Sequence, residues 1–329
     1  MKRLLLILFF VLGVSSLRAQ YEVQPRMRVI IDNDFGGDPD GLFQLAHHLL
    51  SPSVEVRGII GSHLTAQAGF DNSGNSAEKA CLKARELMQL MGVGEDIPVV
   101  AGAAEGLTDV QMPQESAGAQ LIIDEAMRDD SRPLYVVCGA GLTNIASAWL
   151  MNPAIARRLT LIWIGGQEYD GLALPPPGGS ACEYNLSLSI KAAQVVFNRS
   201  DLSLWQVPRN AYRQCICSMA ELQQALNGSG VGRYLLHSLT TLMAEMKQWQ
   251  VYMGEVYVLG DSPLVLLTAL QTGWEADAAS SDYVLRQAPT VLDDGTYQPR
   301  ADGRSIRVYT RIDTRLMFAD MMAKLKTLE

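Results

Sequence analysis

Strand-like and helix-like segments alternate along most of this 329-residue chain, which predicts an α/β fold: a mainly parallel, open sheet with helices on both faces. Two observations support this class. The strand candidates are short apolar runs, and the segments between them carry apolar residues at helical spacing. Glycine turns follow several strands, at Gly36-Gly37, Gly139 and Gly165-Gly166. In such sheets ligands bind outside the carboxyl ends of the strands. Those turns therefore mark the edge where chemistry is expected.

Residues 1–19 stand apart from the fold. Lys2 and Arg3 form a positive start, Leu4 to Val14 an apolar stretch, and Ser-Ser-Leu-Arg-Ala19 a cleavage pattern. A signal peptide removed before Gln20 is expected, and its apolar run is too short for a comfortable membrane span. The remaining chain, roughly 310 residues, is long enough for a single large α/β domain over 20–329. It is expected to be exported, periplasmic or secreted, and free of membrane once cleaved.

Val29–Ile31 reads as a buried strand, ended by Gly36, Gly37 and Pro39. Helical spacing resumes at Leu42, Leu45, Ala46, Leu49 and Leu50. Val54–Ile60 follows, then a polar loop to Asn75. Ser76 reads as an N-cap with Glu78 in the first turn. Ala77, Ala80, Cys81, Ala84, Leu87, Met88 and Met91 share one apolar face that stops at Gly92. Strands are expected at 98–101, 134–138 and 161–164, with helices at 121–127 and from Leu142 onward. Pro175-Pro-Pro-Gly-Gly179 reads as a rim loop. Helices at 235–247 and 263–270, paired strands at 283–286 and 306–309 around the turn Asp293-Asp-Gly295, and a last helix at 314–325 complete the chain.

Net charge is −8, and becomes −11 when Lys2, Arg3 and Arg18 leave with the signal segment. No basic stripe with interleaved aromatics is present, which argues against nucleic acid as a partner. Of the five cysteines, Cys81 and Cys138 fall on apolar faces and read as buried free thiols. The sequence leaves the state of Cys215 and Cys217 open. No His or Cys pair has zinc-site spacing.

Asp32, Asp34, Asp38 and Asp40 carry the sharpest chemical signal. Four carboxylates this close repel one another unless a cation holds them together. Oxygen-only ligands suit Ca²⁺ or Mg²⁺ rather than zinc. The plainer alternative is a solvated acidic turn capping the next helix. Glu183 and Asn185, two apart, point the same way on an extended segment. Asp261 sits where a helix begins and, taken alone, reads as an N-cap. Gly139 offers only a carbonyl or a close backbone approach.

Taken in order, these segments resemble the inosine-uridine-preferring nucleoside hydrolase family over nearly the whole mature length. Asp32 to Asp40 resembles its Asp-x-Asp-x-x-x-Asp-Asp opening, with Pro39 separating the last two aspartates. Cys138-Gly-Ala-Gly-Leu-Thr-Asn144 is similar to its Gly-Pro-Leu-Thr-Asn segment, and Trp163-Ile-Gly-Gly166 to its Met-Gly-Gly turn. Glu183-Tyr-Asn185 is similar to Glu-Phe-Asn, and Asp261-Ser-Pro-Leu264 to the late His-Asp-x-Leu. The resemblance implies a Rossmann-like core and Ca²⁺-dependent hydrolysis of the N-glycosidic bond of ribonucleosides, in purine and pyrimidine salvage. It implies that Asp34 binds Ca²⁺ and deprotonates the attacking water, with Asp40, Asp261 and the Gly139 carbonyl as further ligands. Asp38, Glu183, Asn185 and Asn75 would grip the ribose, and Asp32 would support the ligands from behind. A homodimer or homotetramer is implied as well.

The chain also departs from the family. Gly260 stands where many members carry a His linked to leaving-group protonation, and only His47, His48, His63 and His237 are present. His47 and His48 read as structural, while His237, Tyr252 and Tyr257 are candidates to approach the base. Trp249 reads as packing or a stacking wall. Two other readings remain open. A haloacid dehalogenase-type phosphatase would use Asp32 as nucleophile, Asp34 as acid and Gly260-Asp261 as a late metal motif. A catalytically silent nucleoside- or ribose-binding paralogue would keep the sugar site without turnover.

Overall fold

The computed structural model describes residues 22–65, 70–71, 73–274 and 280–328; the expected signal peptide, 1–19, lies outside them. The chain runs β1 (Met27–Asn33), α1 (Asp40–Leu49), β2 (Val54–Gly61), α2 (Ser76–Met91), β3 (Val99–Ala101), α3 (Ala117–Ala126), β4 (Leu134–Cys138), α4 (Thr143–Met151) and β5 (Leu159–Ile164). Short helices α5 (Tyr184–Ser187) and α6 (Ile190–Gln194) lead to β6 (Ser203–Val207) and α7 (Arg209–Tyr212). An excursion follows: β7 (Ile216–Ser218), α8 (Met219–Leu226), α9 (Gly230–Met246), β8 (Val256–Val258) and α10 (Pro263–Leu266). The end is β9 (Asp282–Gln287), β10 (Thr290–Val291), β11 (Tyr297–Gln298), β12 (Ser305–Arg311) and α11 (Thr314–Leu325).

Eight strands form one sheet in the order β3-β2-β1-β4-β5-β6-β12-β9, parallel throughout except for antiparallel β9 at the edge. The mainly parallel α/β class expected from the sequence is the one observed. Alternate residues of β1 face opposite cores, as period-two geometry requires. Val29 and Ile31 pack with Leu45, Leu87 and Met317, whereas Ile30 packs with Ile122, Ile145 and Phe197. Strand order reverses between β1 and β4, which leaves a crevice at their carboxyl ends. Asp32 and Gly139 lie there because Cys138 is in register with Asp32, and the Gly139 N–H donates to the Asp32 carbonyl at 3.0 Å.

Several boundaries differ from the sequence reading. α3 starts earlier, at Ala117, where Ser116 Oγ accepts from the Ala119 N–H; α9 starts at Gly230, capped in the same way by Ser229. Small first-turn residues give no apolar period to read. Ser76 is the first residue of α2 rather than its cap, because its hydroxyl accepts from the Leu64 N–H at 2.8 Å. β9 and β12 do pair, but the turn at Asp293–Gly295 belongs to the small β10–β11 hairpin between them. All five cysteines are free, so Cys215 and Cys217 are buried thiols. No helix among the described residues is long and apolar enough to cross a membrane.

One buried ion cluster pins β1 to α3. Glu125 meets Arg28 at 2.8 Å with both side chains only 3% exposed, and also reaches Arg57 and Arg128. Removing one member of a buried pair strands its partner's charge, at about 3–5 kcal/mol. Glu125→Ala is therefore expected to lower unfolding stability by about 3 kcal/mol or more in a urea titration. A loss below about 1 kcal/mol would place the pair among the weak surface bridges instead.

Candidate active site

The strand that starts the sheet also builds the site. Asp32 and Asn33 end β1, and Asp34 opens a tight turn closed by the Gly37 N–H on the Asp34 carbonyl at 2.7 Å. Asp38 then accepts from the Asp40 N–H at 3.1 Å, setting up the first turn of α1. Asp261 arrives from the loop after β8. Its backbone N–H donates to Asp40 Oδ2 at 3.1 Å, and its own Oδ2 accepts from Asn33 Nδ2 at 2.8 Å. Gly139 fills the gap beside them. A side chain there would start 2.5 Å from Asn33 Nδ2 and 2.6 Å from Asp261 Oδ2, so only glycine permits this approach.

The opposite wall comes from the loop after β5. Gly165-Gly166 turns sharply, with Gly166 at φ +83°, and the Gly166 N–H donates to Glu183 Oε2 at 2.7 Å. The same oxygen caps α5 by accepting from the Leu186 N–H, while Glu183 Oε1 accepts from the Tyr212 hydroxyl at 3.0 Å. Asn185 spends its amide nitrogen on two carbonyls, Gly139 at 3.0 Å and Ile164 at 2.8 Å. Its side-chain oxygen is thereby fixed as an acceptor. Asp34, Asp38, Asp40, Asp261, Gly139, Glu183, Asn185 and Tyr212 line a cavity of about 320 Å³, together with Phe70, Tyr184 and Arg213. A larger hollow of about 570 Å³ beside β10 and β11 holds none of the four clustered aspartates.

The electrostatics are dominated by burial and by neighbouring like charges. Burial, then the charges of Asp261 and Asp38, hold the Asp34 carboxyl well above the ordinary carboxylate value. Asp40 is raised in the same way, by burial and then by Asp261, Asp38 and Asp34. Burial pushes Asp261 up to about 7 and Asp32 up to about 6, against the hydrogen bonds from Asn33 and from Ser62 and Asn144 respectively. Asp38 is raised by burial, with the Tyr257 hydroxyl at 2.7 Å pulling the other way. The donor set of carboxylates and one backbone carbonyl suits a hard cation. The side chains are not already drawn into a cage: no group of three His, Cys, Asp or Glu among the described residues forms a metal site.

The sequence-derived residues do not all meet. Asp34, Asp38, Asp40, Gly139, Glu183, Asn185 and Asp261 share the cavity. Asp32 is fully buried and outside the cavity lining, with its Oδ1 accepting from Ser62 and from Asn144 at 3.0 Å, so it is not placed to serve as the nucleophile of the phosphatase reading. Asn75 is exposed at the head of α2 and is not part of the lining. His47 binds Asp320 and His48 binds Thr268, both structural; His237 is exposed on α9. Trp249 and Tyr252 are exposed, at 78% and 76%, so Trp249 is no packing residue of this chain. Asn33, Tyr212 and Phe70 were not legible as site residues. Only Asn33 offered a signal, as a polar side chain at the buried end of a strand.

Residues 29–319 match the model of a family described as "Inosine-uridine preferring nucleoside hydrolase". Proteins of that description from Leishmania major and Crithidia fasciculata are 29% identical over 197 residues and 30% identical over 200 residues. Those alignments cover 53% and 55% of this chain, and 57% and 58% of the relatives, a little over half their length. Among solved structures, a purine-preferring ribonucleoside hydrolase from Gardnerella vaginalis superposes with a TM-score of 0.70 at 20% identity, over 92% of this chain and 98% of that one. An inosine-uridine preferring nucleoside hydrolase from Bacillus anthracis gives 0.64 at 17% identity, over 92% and 99%.

The raised carboxylates predict how stability responds to pH once divalent ions are removed. A carboxyl raised in the fold stabilises it fully below its ordinary value of 3.8, and that contribution is lost as pH rises through about 6 for Asp32 and about 7 for Asp261. The thermal midpoint of EDTA-treated protein is expected to fall between about pH 5 and about pH 8, and to fall less in Asp261→Asn. Equal falls in parent and variant would contradict the assignment.

Proposed function

Since the chain belongs to the inosine-uridine preferring nucleoside hydrolase family, we propose that it hydrolyses the N-glycosidic bond of ribonucleosides, or of a related N-riboside, to free base and ribose. The observation that carries this reading is the Asp34 carboxylate. It faces a nucleoside-sized cavity, and among the described residues it takes no side-chain hydrogen bond. It is free to accept a proton.

The donor set fits Ca²⁺, with Asp34, Asp40, Asp261 and the Gly139 carbonyl as the residues that would hold it. When bound, the ion supplies positive charge that neutralises the aspartates and makes a nearby water more acidic. Asp40 is favoured over Asp38 as a ligand because it meets Asp261 directly, while Asp38 is engaged by Tyr257. The Gly139 carbonyl accepts from Asn185 Nδ2 at 3.0 Å and keeps a second lone pair. Asp34 takes the proton of the attacking water. Asp38, Glu183 and the fixed Asn185 oxygen accept from the ribose hydroxyls. Those bonds strengthen as the sugar flattens towards an oxocarbenium-like transition state. Asn33 and Asp32 position the carboxylates without touching substrate. We further propose that residues 1–19 direct export and that the mature protein acts outside the cytoplasm as a homo-oligomer.

Incubation with a panel of purine and pyrimidine ribonucleosides in Ca²⁺, with an EDTA control, tests this through released reducing ribose. EDTA-sensitive release is expected. Ca²⁺-dependent nucleoside binding without release would instead favour the silent paralogue. Asp34→Asn is expected to lower kcat by about 10³-fold or more with unchanged thermal unfolding; parental turnover in that variant would remove Asp34 as the base.

A further inference from the structure

A departing nucleobase takes the electron pair of the broken C1′–N bond and needs a donor for the charge that develops. Gly260 has no side chain to give. The other hydroxyls and imidazoles near the cavity are committed: Tyr212 to Glu183, Tyr257 to Asp38, and His63 to Thr143 at 2.8 Å. Arg213 also lines the cavity and is a hydrogen-bond donor, so it is tested beside Tyr184.

Tyr184 is different. It lines the same cavity as Asp34 and Asp38, is 38% exposed, and among the described residues its hydroxyl has no hydrogen-bond partner. Its backbone is clamped between Glu183 and Asn185, and its carbonyl accepts from the Ser187 hydroxyl at 2.6 Å and the Leu188 N–H at 3.3 Å. Phe70, also lining the cavity, meets the ring edge-on, with centroids 6.1 Å apart at 86°. The ring is therefore held on a fixed backbone against an apolar wall, with only its polar tip unspent. Burial pushes the phenol's pKa up, so it carries its proton at neutral pH.

We propose that the Tyr184 hydroxyl is the leaving-group donor of this site, hydrogen-bonding the base as the C1′–N bond breaks. This inference rests on the N-glycosidase reading above. Water supplies the new C1′–O bond and gives its proton to Asp34. The electron pair of the C1′–N bond passes to the base, and Tyr184 stabilises that charge while keeping its own proton. The base then takes a proton from solvent, and Asp34 returns the one it accepted. A weakly acidic phenol suits bases that need a strong hydrogen bond rather than complete protonation before departure. The substrate class it points to is N-ribosides whose leaving group presents an acceptor atom on the face turned to the α5 side of the cavity.

Tyr184→Phe removes one oxygen and keeps the ring. Comparing ribonucleosides with 4-nitrophenyl β-D-riboside, whose leaving group departs without a donor, separates a chemical role from a structural one. The expected result is a fall in kcat of about 10²-fold on nucleosides, a loss below about 3-fold on the nitrophenyl riboside, and unchanged thermal unfolding. Equal losses on both substrates, or none on either, would overturn the assignment; so would the same selective loss in Arg213→Gln with Tyr184→Phe unaffected. A parent protein that cleaves only the nitrophenyl riboside has no working donor, and Tyr184 loses its role. A parent that cleaves neither defeats the N-glycosidase reading itself.

Discussion

Everything at the carboxyl edge of the sheet is organised by one constraint: several carboxylates are buried together, and among the described residues none of them is paired with a cationic side chain. Asp34, Asp40 and Asp261 each raise the others' affinity for protons, or are raised by the same neighbours, and burial amplifies the effect. Like charges this close either take up protons or share a cation. The surrounding structure keeps them close regardless. Asn33 bonds Asp261, the Asp261 N–H bonds Asp40, and Gly139 has no side chain to push them apart. Such an arrangement costs stability, and it persists because the rest of the sheet is well packed around it.

The same network explains why Asn33 matters beyond its own position. Its oxygen accepts from the Asp34 N–H at 2.8 Å, and its nitrogen reaches Gln44 as well as Asp261. Gln44 in turn contacts His48, which bonds Thr268 at 2.9 Å. A chain of side chains thus runs from the cavity through α1 to the segment after α10, tying the two ends of the sequence that supply the aspartates. His48 is held neutral by burial, which suits a link in a structural relay and not an acid at the site.

Much of this was legible in the sequence because the chemistry sits on regular elements. Strands β1, β2, β4 and β5 announce themselves as apolar runs, and the parallel class follows from their alternation with helices. Asp34 and Asp40 were legible through residue type and turn context, whereas Glu183 and Asp261 were singled out as site residues by the family resemblance. What escaped depends on contacts between distant segments. Tyr212 holds Glu183 across 29 positions, and the Ser76 hydroxyl serves Leu64 instead of its own helix. Phe70 stands in a polar stretch with no periodicity, so nothing local marks it as a wall. Asn75 is a different case: the ribose contact came from the resemblance, and the residue stands exposed at the head of α2, outside the cavity lining.

The central claim is that the buried aspartates form a cation site in which Asp40, and not Asp38, is a ligand. Calorimetric titration of Ca²⁺ into EDTA-treated protein tests it most directly, carried out in two buffers of different ionisation enthalpy so that proton release is visible. The account predicts a single site whose occupation displaces protons near neutral pH, since Asp261 is raised to about 7. Binding should be lost in Asp40→Asn and retained in Asp38→Asn. No binding by the parent, or loss confined to Asp38→Asn, would contradict it.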